Sequence, residues 1–365
     1  MISRASDSVW GKWWWSVDKA IFFAFLTLIA VGILLAGAAT PMVADRLKIE
    51  KFYFLKRHLL YIIPSLSIFF LVSLQSNSNI KKLSLTLFAV SVFLMALTPI
   101  LGSEIKGARR WISFFGFSLQ PSEFMRPSLV IITAWIFAEQ QKHPEFHGVF
   151  LATFPLLLAV FLLICQPDIG MVVVTLMAWF SQLFINGLPL IFVAAIAAIG
   201  MGCLLLAYLF FPHVTARIDR FLDPSVGDQY QITRSLEAFS NGNFFGVGPG
   251  EGVVKKYIPD AHSDFVFAVL GEECGFIVCA MIVIIIAFIV VYGLIKAIKS
   301  NNLFILLSSA GLLVQFGIQA FINIASSLHI IPTKGISLPF MSYGGSSMIA
   351  SGITMGMIFA LRRNI

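Results

Sequence analysis

The chain has 365 residues, 58% of them hydrophobic and only 12% charged, and a formal net charge of +7. Ordinary soluble domains run about 45–50% apolar and about 25% charged, so the excess apolar surface has to be covered by lipid, and a soluble-domain reading is excluded. The basic residues sit at the ends of apolar runs and not on one soluble face, which points to membrane headgroups and anionic ligands and away from nucleic acid.

A hydrocarbon core about 30 Å thick needs roughly 20 apolar residues of helix. Runs of that kind lie at about 20–39, 57–74, 83–101, 123–138, 148–164, 169–186, 189–211, 274–295, 303–328 and 346–361. The sequence therefore predicts an all-α polytopic membrane protein of about ten transmembrane helices. The first run is too long for a signal-peptide core and is followed by nine more, so it reads as a retained anchor. Trp10, Trp13, Trp14 and Trp15 precede it, beside Lys12 and Lys19, as in an interfacial aromatic belt. Residues 1–19 form a tail and 20–365 a single membrane domain. Its longest connection, about 212–263, is polar and Gly-rich; a loop of that length is usually functional or disordered, and its mixed charges and aromatic residues argue against a floppy linker. A second irregular stretch, Pro332 to Ser347, carries prolines and glycines that forbid a continuous helix; such backbone survives at membrane depth only inside protein or against a wet cavity. Cys165, Cys203, Cys274 and Cys279 have no metal or redox spacing and read as small buried hydrophobes.

Charged residues in or beside the spans are the candidates for chemistry. Lys106, Arg109 and Arg110 follow the third span and suit either interfacial anchoring or a clamp on phosphate oxygens. Gln120-Pro121-Ser122-Glu123 reads as a helix start, with Arg126 placed for an i,i+3 ion pair. Gln166-Pro167-Asp168 repeats that arrangement. Gly246, Gly248, Gly250 and Gly252 follow no strand–helix unit and read as a flexible loop, not a dinucleotide site. The richest stretch runs from Tyr257 through Asp260, His262 and Asp264 to Gly271-Glu272-Glu273. Asp264, at the mouth of an apolar segment, is suited to proton transfer, and Asp260, Asp228 and Glu272 compete with it.

Taken in order, GARRWI (107–112), QPSE (120–123), QPD (166–168), RIDRF (217–221), GDQYQITRSLEA (227–238), the glycines at 246, 248 and 250, YIPDAHSDFVFAVLGEECG (257–275) and PTKGISLPFMSYGGSS (332–347) resemble the SEDS family, the polytopic glycosyltransferases of bacterial cell-wall synthesis. The match spans nearly the whole chain. Lys334 in PTKG and the PDAHSDF form resemble the division branch more than the elongation branch. One departure is Arg126, where the family generally has lysine; arginine keeps the charge but gives up no proton at ordinary pH.

The resemblance implies a lipid II polymerase that releases undecaprenyl diphosphate, with Asp264 as the essential aspartate. It implies substrate contacts among Arg109, Arg110, Glu123, Arg126, Arg234, His262, Lys334 and Ser342. A divalent cation, Mg or Mn, is compatible with it; Asp264 is then either the base or a metal ligand, and the residues do not separate the two. Expected partners are lipid II, a class B penicillin-binding protein and other division membrane proteins. The residues alone also suit a transporter of lipid-linked precursors or a non-enzymatic division scaffold. Cation counts on the two faces, ten with the termini and fourteen opposite, weakly favour termini outside. The resemblance implies the reverse: termini in the cytoplasm and the 212–263 loop outside the cytoplasmic membrane.

Overall fold

The computed structural model describes residues 8–105, 108–114, 117–143, 145–210, 212–223, 230–332 and 335–363. In chain order these form α1 (Val9–Ser16), α2 (Lys19–Leu47), α3 (Tyr53–Ser73) and α4 (Asn77–Leu101), then three short strands, β1 (Ser103–Ile105), β2 (Ala108–Phe114) and β3 (Phe117–Leu119). Next come α5 (Pro121–Lys142), α6 (Gly148–Cys165), α7 (Ile169–Ile185), α8 (Leu190–Phe210), α9 (Pro212–Leu222) and α10 (Tyr230–Gly242). A 3₁₀ turn (Val254–Tyr257) leads to α11 (Val266–Ile298), α12 (Leu303–Ser327) and α13 (Gly345–Arg362).

Each of the ten expected spans falls on one of α2–α8 or α11–α13. Among the described residues, α2, α3, α4, α6, α11 and α12 are long and apolar enough to cross a membrane, and α7 is apolar but shorter. Their outward faces carry large apolar side chains such as Leu34, Ile100, Phe150 and Phe161. A continuous belt of this kind would drive aggregation in water and is stable against lipid.

α12 and α13 form the centre. α13 packs along α3 because Gly352 and Gly356 let the backbones meet: a Cβ at Gly352 would lie 2.6 Å from the Ser65 carbonyl oxygen, and one at Gly356 2.9 Å from that of Phe69. At the other edge α1 is fastened to α3. The Trp13 indole N–H donates to Ser73 Oγ at 2.8 Å, and Trp10 stacks on Phe70 at 4.2 Å. The tryptophans are thus partly internal packing and not only an interfacial belt.

Three features depart from the sequence reading. Residues 103–119 form an antiparallel sheet in the order β1-β2-β3, with Glu104 paired to Arg109 and Ser113 to Ser118. The 212–263 connection, read as a loop, holds α9, α10 and the 3₁₀ turn, in keeping with the charges and aromatic residues that argue against a floppy linker. Of the three cysteines with described side chains, only Cys279 is buried, and Cys165 is exposed on its apolar helix.

α11 starts eight residues earlier than the 274–295 run and is broken at Gly275, whose φ is 76°. An unbroken helix would bond the Phe276 and Ile277 N–H groups to the Glu272 and Glu273 carbonyls. Here the 243–248 loop inserts into that ladder. Val247 N–H and Gly248 N–H donate to the Glu272 and Glu273 carbonyls at 3.0 Å each, while Phe276 N–H and Ile277 N–H donate to the Asn243 and Phe244 carbonyls at 2.9 and 3.2 Å. All four freed groups are satisfied by backbone, which membrane depth demands. The glycine stretch is therefore built into the fold. Gly246 has φ 81°, and a Cβ there would sit 2.1 Å from the Glu273 carbonyl oxygen.

Candidate functional site

Two connections meet at one end of the bundle: 258–265, which carries Asp264 into the start of α11, and 335–344, between α12 and α13. The second dips into the bundle. The Phe340 carbonyl oxygen would lie 2.4 Å from a Cβ at Gly32, midway along α2, and the Phe340 ring packs against Phe25 at 4.7 Å. Its own polar groups are satisfied locally, with Leu338 N–H donating to Ser342 Oγ at 2.8 Å and Ser342 N–H to the Leu338 carbonyl at 3.0 Å. This is the non-helical backbone inside protein that the prolines and glycines of 332–347 predict.

The two connections are clamped together at the half-buried Asp264. Ser342 Oγ donates to the Ser263 carbonyl at 2.6 Å and Tyr343 N–H to the His262 carbonyl at 2.9 Å. From α12, Asn323 Nδ2 donates to the Asp264 carbonyl at 3.0 Å and to the Ile336 carbonyl at 2.7 Å. Gly335 comes so close that a Cβ would sit 3.3 Å from Asp264 Oδ2. The His262 ring stacks on Phe54 at 4.4 Å and lies 5.5 Å from Tyr343. The Tyr343 phenol lies beside the Arg57 guanidinium, which is hydrogen-bonded to it.

Glu123 and Arg126 reach this site indirectly. Pro121 occupies the first turn of α5 with Glu123, as the QPSE motif predicts. Glu123 and Arg126 pair, and they are only 4% and 1% exposed. Arg126 Nη1 donates to Gln319 Oε1 at 3.1 Å, and Gln319 Nε2 donates to the Ser337 carbonyl at 3.0 Å. A buried ion pair on α5 is thus wired through α12 to the 335–344 connection. Ser337 Oγ in turn lies 2.5 Å from Ser347 Oγ on α13.

The cations expected to hold phosphate are spread around this end. Arg110 is committed to the QPD turn, donating to the carbonyls of Gln166 at 2.8 Å and Pro167 at 2.5 Å and pairing with Asp168 at 3.4 Å. Asp168 also caps α7, accepting from Met171 N–H at 3.3 Å. Arg109 is exposed on β2, 3.4 Å from Glu104 and donating to the Pro99 carbonyl at 3.1 Å. Arg234, on α10, pairs with Glu237 at 2.5 Å and lies over the rings of Tyr230 and Tyr257. The sheet joins the same end through Ser346, whose Oγ accepts from Gln120 N–H at 2.9 Å and donates to the Ser118 carbonyl at 3.0 Å. Lys334, Lys106 and Asp228 lie outside the described residues.

Of the carboxylates that compete with Asp264, Glu272 has a structural task. Glu272 is fully buried and accepts from the backbone N–H groups of Val253, Val254 and Lys255 at 2.7 Å each and from Asn241 at 2.9 Å. It anchors the 3₁₀ turn. Glu273 pairs with buried Lys255. Asp264 differs in facing the gap between two connections.

The sequence reading missed Gln319, Asn323 and Arg57. The signal for the first two is Gln315, Gln319 and Asn323 at four-residue spacing in an otherwise apolar run, a polar stripe on one face of α12. Arg57 was hidden by its place at the start of an apolar run.

An apolar helical bundle with a non-helical connection sunk into it, and a half-buried carboxylate where that connection meets the loop before α11, defines an integral membrane protein with a polar site at one end. Residues 18–365 match the cell cycle protein model that joins FtsW, RodA and SpoVE. The chain belongs to that family. It is 41% identical over 362 residues to a probable peptidoglycan glycosyltransferase FtsW of Caulobacter vibrioides, covering 99% of this chain and 93% of the relative. It is 35% identical to the FtsW of Coxiella burnetii, covering 95% and 96%. These relatives bear out the resemblance to the division branch. Among solved structures, it superposes with a TM-score of 0.80 and 25% identity on a chain from a peptidoglycan synthase complex that coordinates polymerization and crosslinking, covering 95% and 98%. It shares the fold of Thermus thermophilus RodA, with a TM-score of 0.69 and 23% identity over 95% and 97%.

Proposed function

We propose that the chain is a peptidoglycan glycosyltransferase that polymerises lipid II during division, with Asp264 as its base. The observation that carries this reading is the carboxylate itself: half-buried, set against Gly335, and fixed through its own backbone by Asn323. The 4-hydroxyl oxygen of the acceptor attacks the anomeric carbon of the donor, the bond to the diphosphate oxygen breaks, and undecaprenyl diphosphate leaves. An α-linked donor giving a β-1,4 product fits one inverting displacement. Glycoside hydrolases need a second carboxyl group to protonate a poor leaving group; a diphosphate leaves without one. Asp264 takes the hydroxyl proton.

Arg109 and Arg234 are free enough to meet the diphosphate, Arg57 stands beside Tyr343, and Lys334 is assigned to the same task. Arg110, held by the 166–168 turn, and the buried Glu123–Arg126 pair act as positioning groups. Magnesium and manganese bound with substrate phosphates need only one or two protein carboxylates. Asp264 fits that requirement only in place of its role as base, and a cation held there would offset diphosphate charge. Among the described residues no three His, Cys, Asp or Glu side chains cluster as a self-sufficient metal site.

A polyprenyl tail stays in the bilayer, so the site belongs at headgroup level, open sideways between helices. We place it on the outer face of the bacterial cytoplasmic membrane with both termini in the cytoplasm. The crosslinking partner of the synthase complex supports a class B penicillin-binding protein as the companion transpeptidase. In purified protein given lipid II, Asp264→Asn should cut glycan polymerisation about 10²–10⁴-fold while leaving the fold intact by thermal melting. Polymerisation near the unmutated rate would sink the assignment.

A further inference from the structure

α11 and α13 end beside the start of α2, at the opposite end of the molecule from Asp264. Beyond its break at Gly275, α11 still runs to Ile298, putting roughly 35 Å of helix between the two ends. A cavity of about 360 Å³ lies there, lined by Asp18, Lys296, Lys299, Phe359, Arg362 and Arg363 among others. Among the described residues, four cations face one carboxylate there.

That carboxylate is fully used. Asp18 Oδ2 accepts from Lys296 Nζ at 2.6 Å and Arg362 Nη2 at 3.3 Å, and Oδ1 accepts from the backbone N–H groups of Ala20 and Ile21 at 3.1 and 3.3 Å. Arg363 is spent on the C-terminal carbonyls of α3, donating to Ser73 at 3.2 Å and Leu74 at 3.0 Å. Two sets of donors remain. Arg362 Nη1 is buried without a partner, on a side chain only 7% exposed. The Lys299 ammonium is exposed and, among the described residues, has no acceptor.

A buried guanidinium N–H without an acceptor is costly and rare. It stands here in a cavity with excess positive charge, at the level where apolar helices end. An anion with several oxygens completes it: the arginine supplies a directed donor and the lysine a mobile point charge. We infer that this cavity is a second ligand site, for a phosphate-bearing anion, either a phospholipid headgroup or a free phosphate. It is independent of the reaction assigned to Asp264.

The test uses the full chain in nanodiscs of phosphatidylcholine, titrated with phosphatidylglycerol in one arm and inorganic phosphate in the other, reading the melting temperature. A rise with phosphatidylglycerol alone identifies the headgroup; a rise with inorganic phosphate identifies the free anion; either supports the site. Lys299→Gln removes a side chain that holds nothing else in place, and it should raise the half-maximal concentration about tenfold or more. Lys82→Gln, an exposed cation at the same end of the bundle, should leave the response unchanged. No response to either anion, an unaltered response in Lys299→Gln, or an equal loss in both variants would overturn the inference.

Discussion

Asn323 holds Asp264 without touching its carboxylate. One amide nitrogen bonds the carbonyls of Asp264 and Ile336, so a single side chain sets the distance between the two connections. Replacing it by leucine keeps much of the volume and removes both bonds. Because misplacement of a reacting group by about 1 Å can cost around 10²-fold, Asn323→Leu should lower kcat by about that factor while KM for lipid II changes little. An equal loss in both, or none in either, would deny it a positioning role. The Glu123–Arg126 pair makes a different demand. Breaking a buried pair leaves one charge uncompensated, at about 3–5 kcal/mol, whereas replacing both partners by apolar groups is often neutral. Arg126→Met should therefore lower thermal stability markedly, and Glu123→Leu added to it should recover most of the loss. The pair was legible in the sequence because both members lie on one helix three residues apart. Their link to Gln319 was not, because it joins residues 193 positions apart.

At the scale of elements, the break in α11 gives two glycines with similar backbones and different surroundings. Gly246 and Gly250 have φ of 81° and 88°, but a Cβ at Gly246 would strike the Glu273 carbonyl, while one at Gly250 meets nothing within 4 Å. Gly250→Ala should cost only the left-handed strain, about 1–2 kcal/mol. Gly246→Ala should cost well beyond that, because the loop must leave the ladder; comparable melting shifts for the two would contradict the inserted-loop geometry. The start of α11 was hidden in the sequence by Glu272 and Glu273, which look like loop residues. They are tolerated because the start of the 3₁₀ turn brings three backbone N–H groups to one and Lys255 to the other. The sheet at 103–119 was unreadable for a related reason: its strands have three to seven residues, too short for a period-2 pattern to stand out.

For the whole molecule, hydropathy located the apolar helices in order because lipid imposes one length scale on them all. Sidedness is a weaker signal. The cation count favours one orientation and the family resemblance the other; cations that served an anionic site would be counted along with those that set orientation. The proposed arrangement puts the 243–252 loop outside and the α11–α12 turn at Ser300–Asn301 inside. With native cysteines replaced, a membrane-impermeant thiol reagent should label Glu251→Cys in intact cells and Asn301→Cys only after permeabilisation. The reverse pattern would turn the molecule over and separate Asp264 from outward-facing substrate.

The inserted loop also shapes which substitutions the chain can accept. All four bonds that bridge the break at Gly275 run between main-chain atoms, so they do not depend on the identity of side chains such as Val247 or Phe276. These positions can drift among apolar residues across related sequences while the bend persists. Gly246 and Gly275 have no such freedom, and variation there would require the crossing to be rebuilt as a straight rod with Asp264 carried elsewhere.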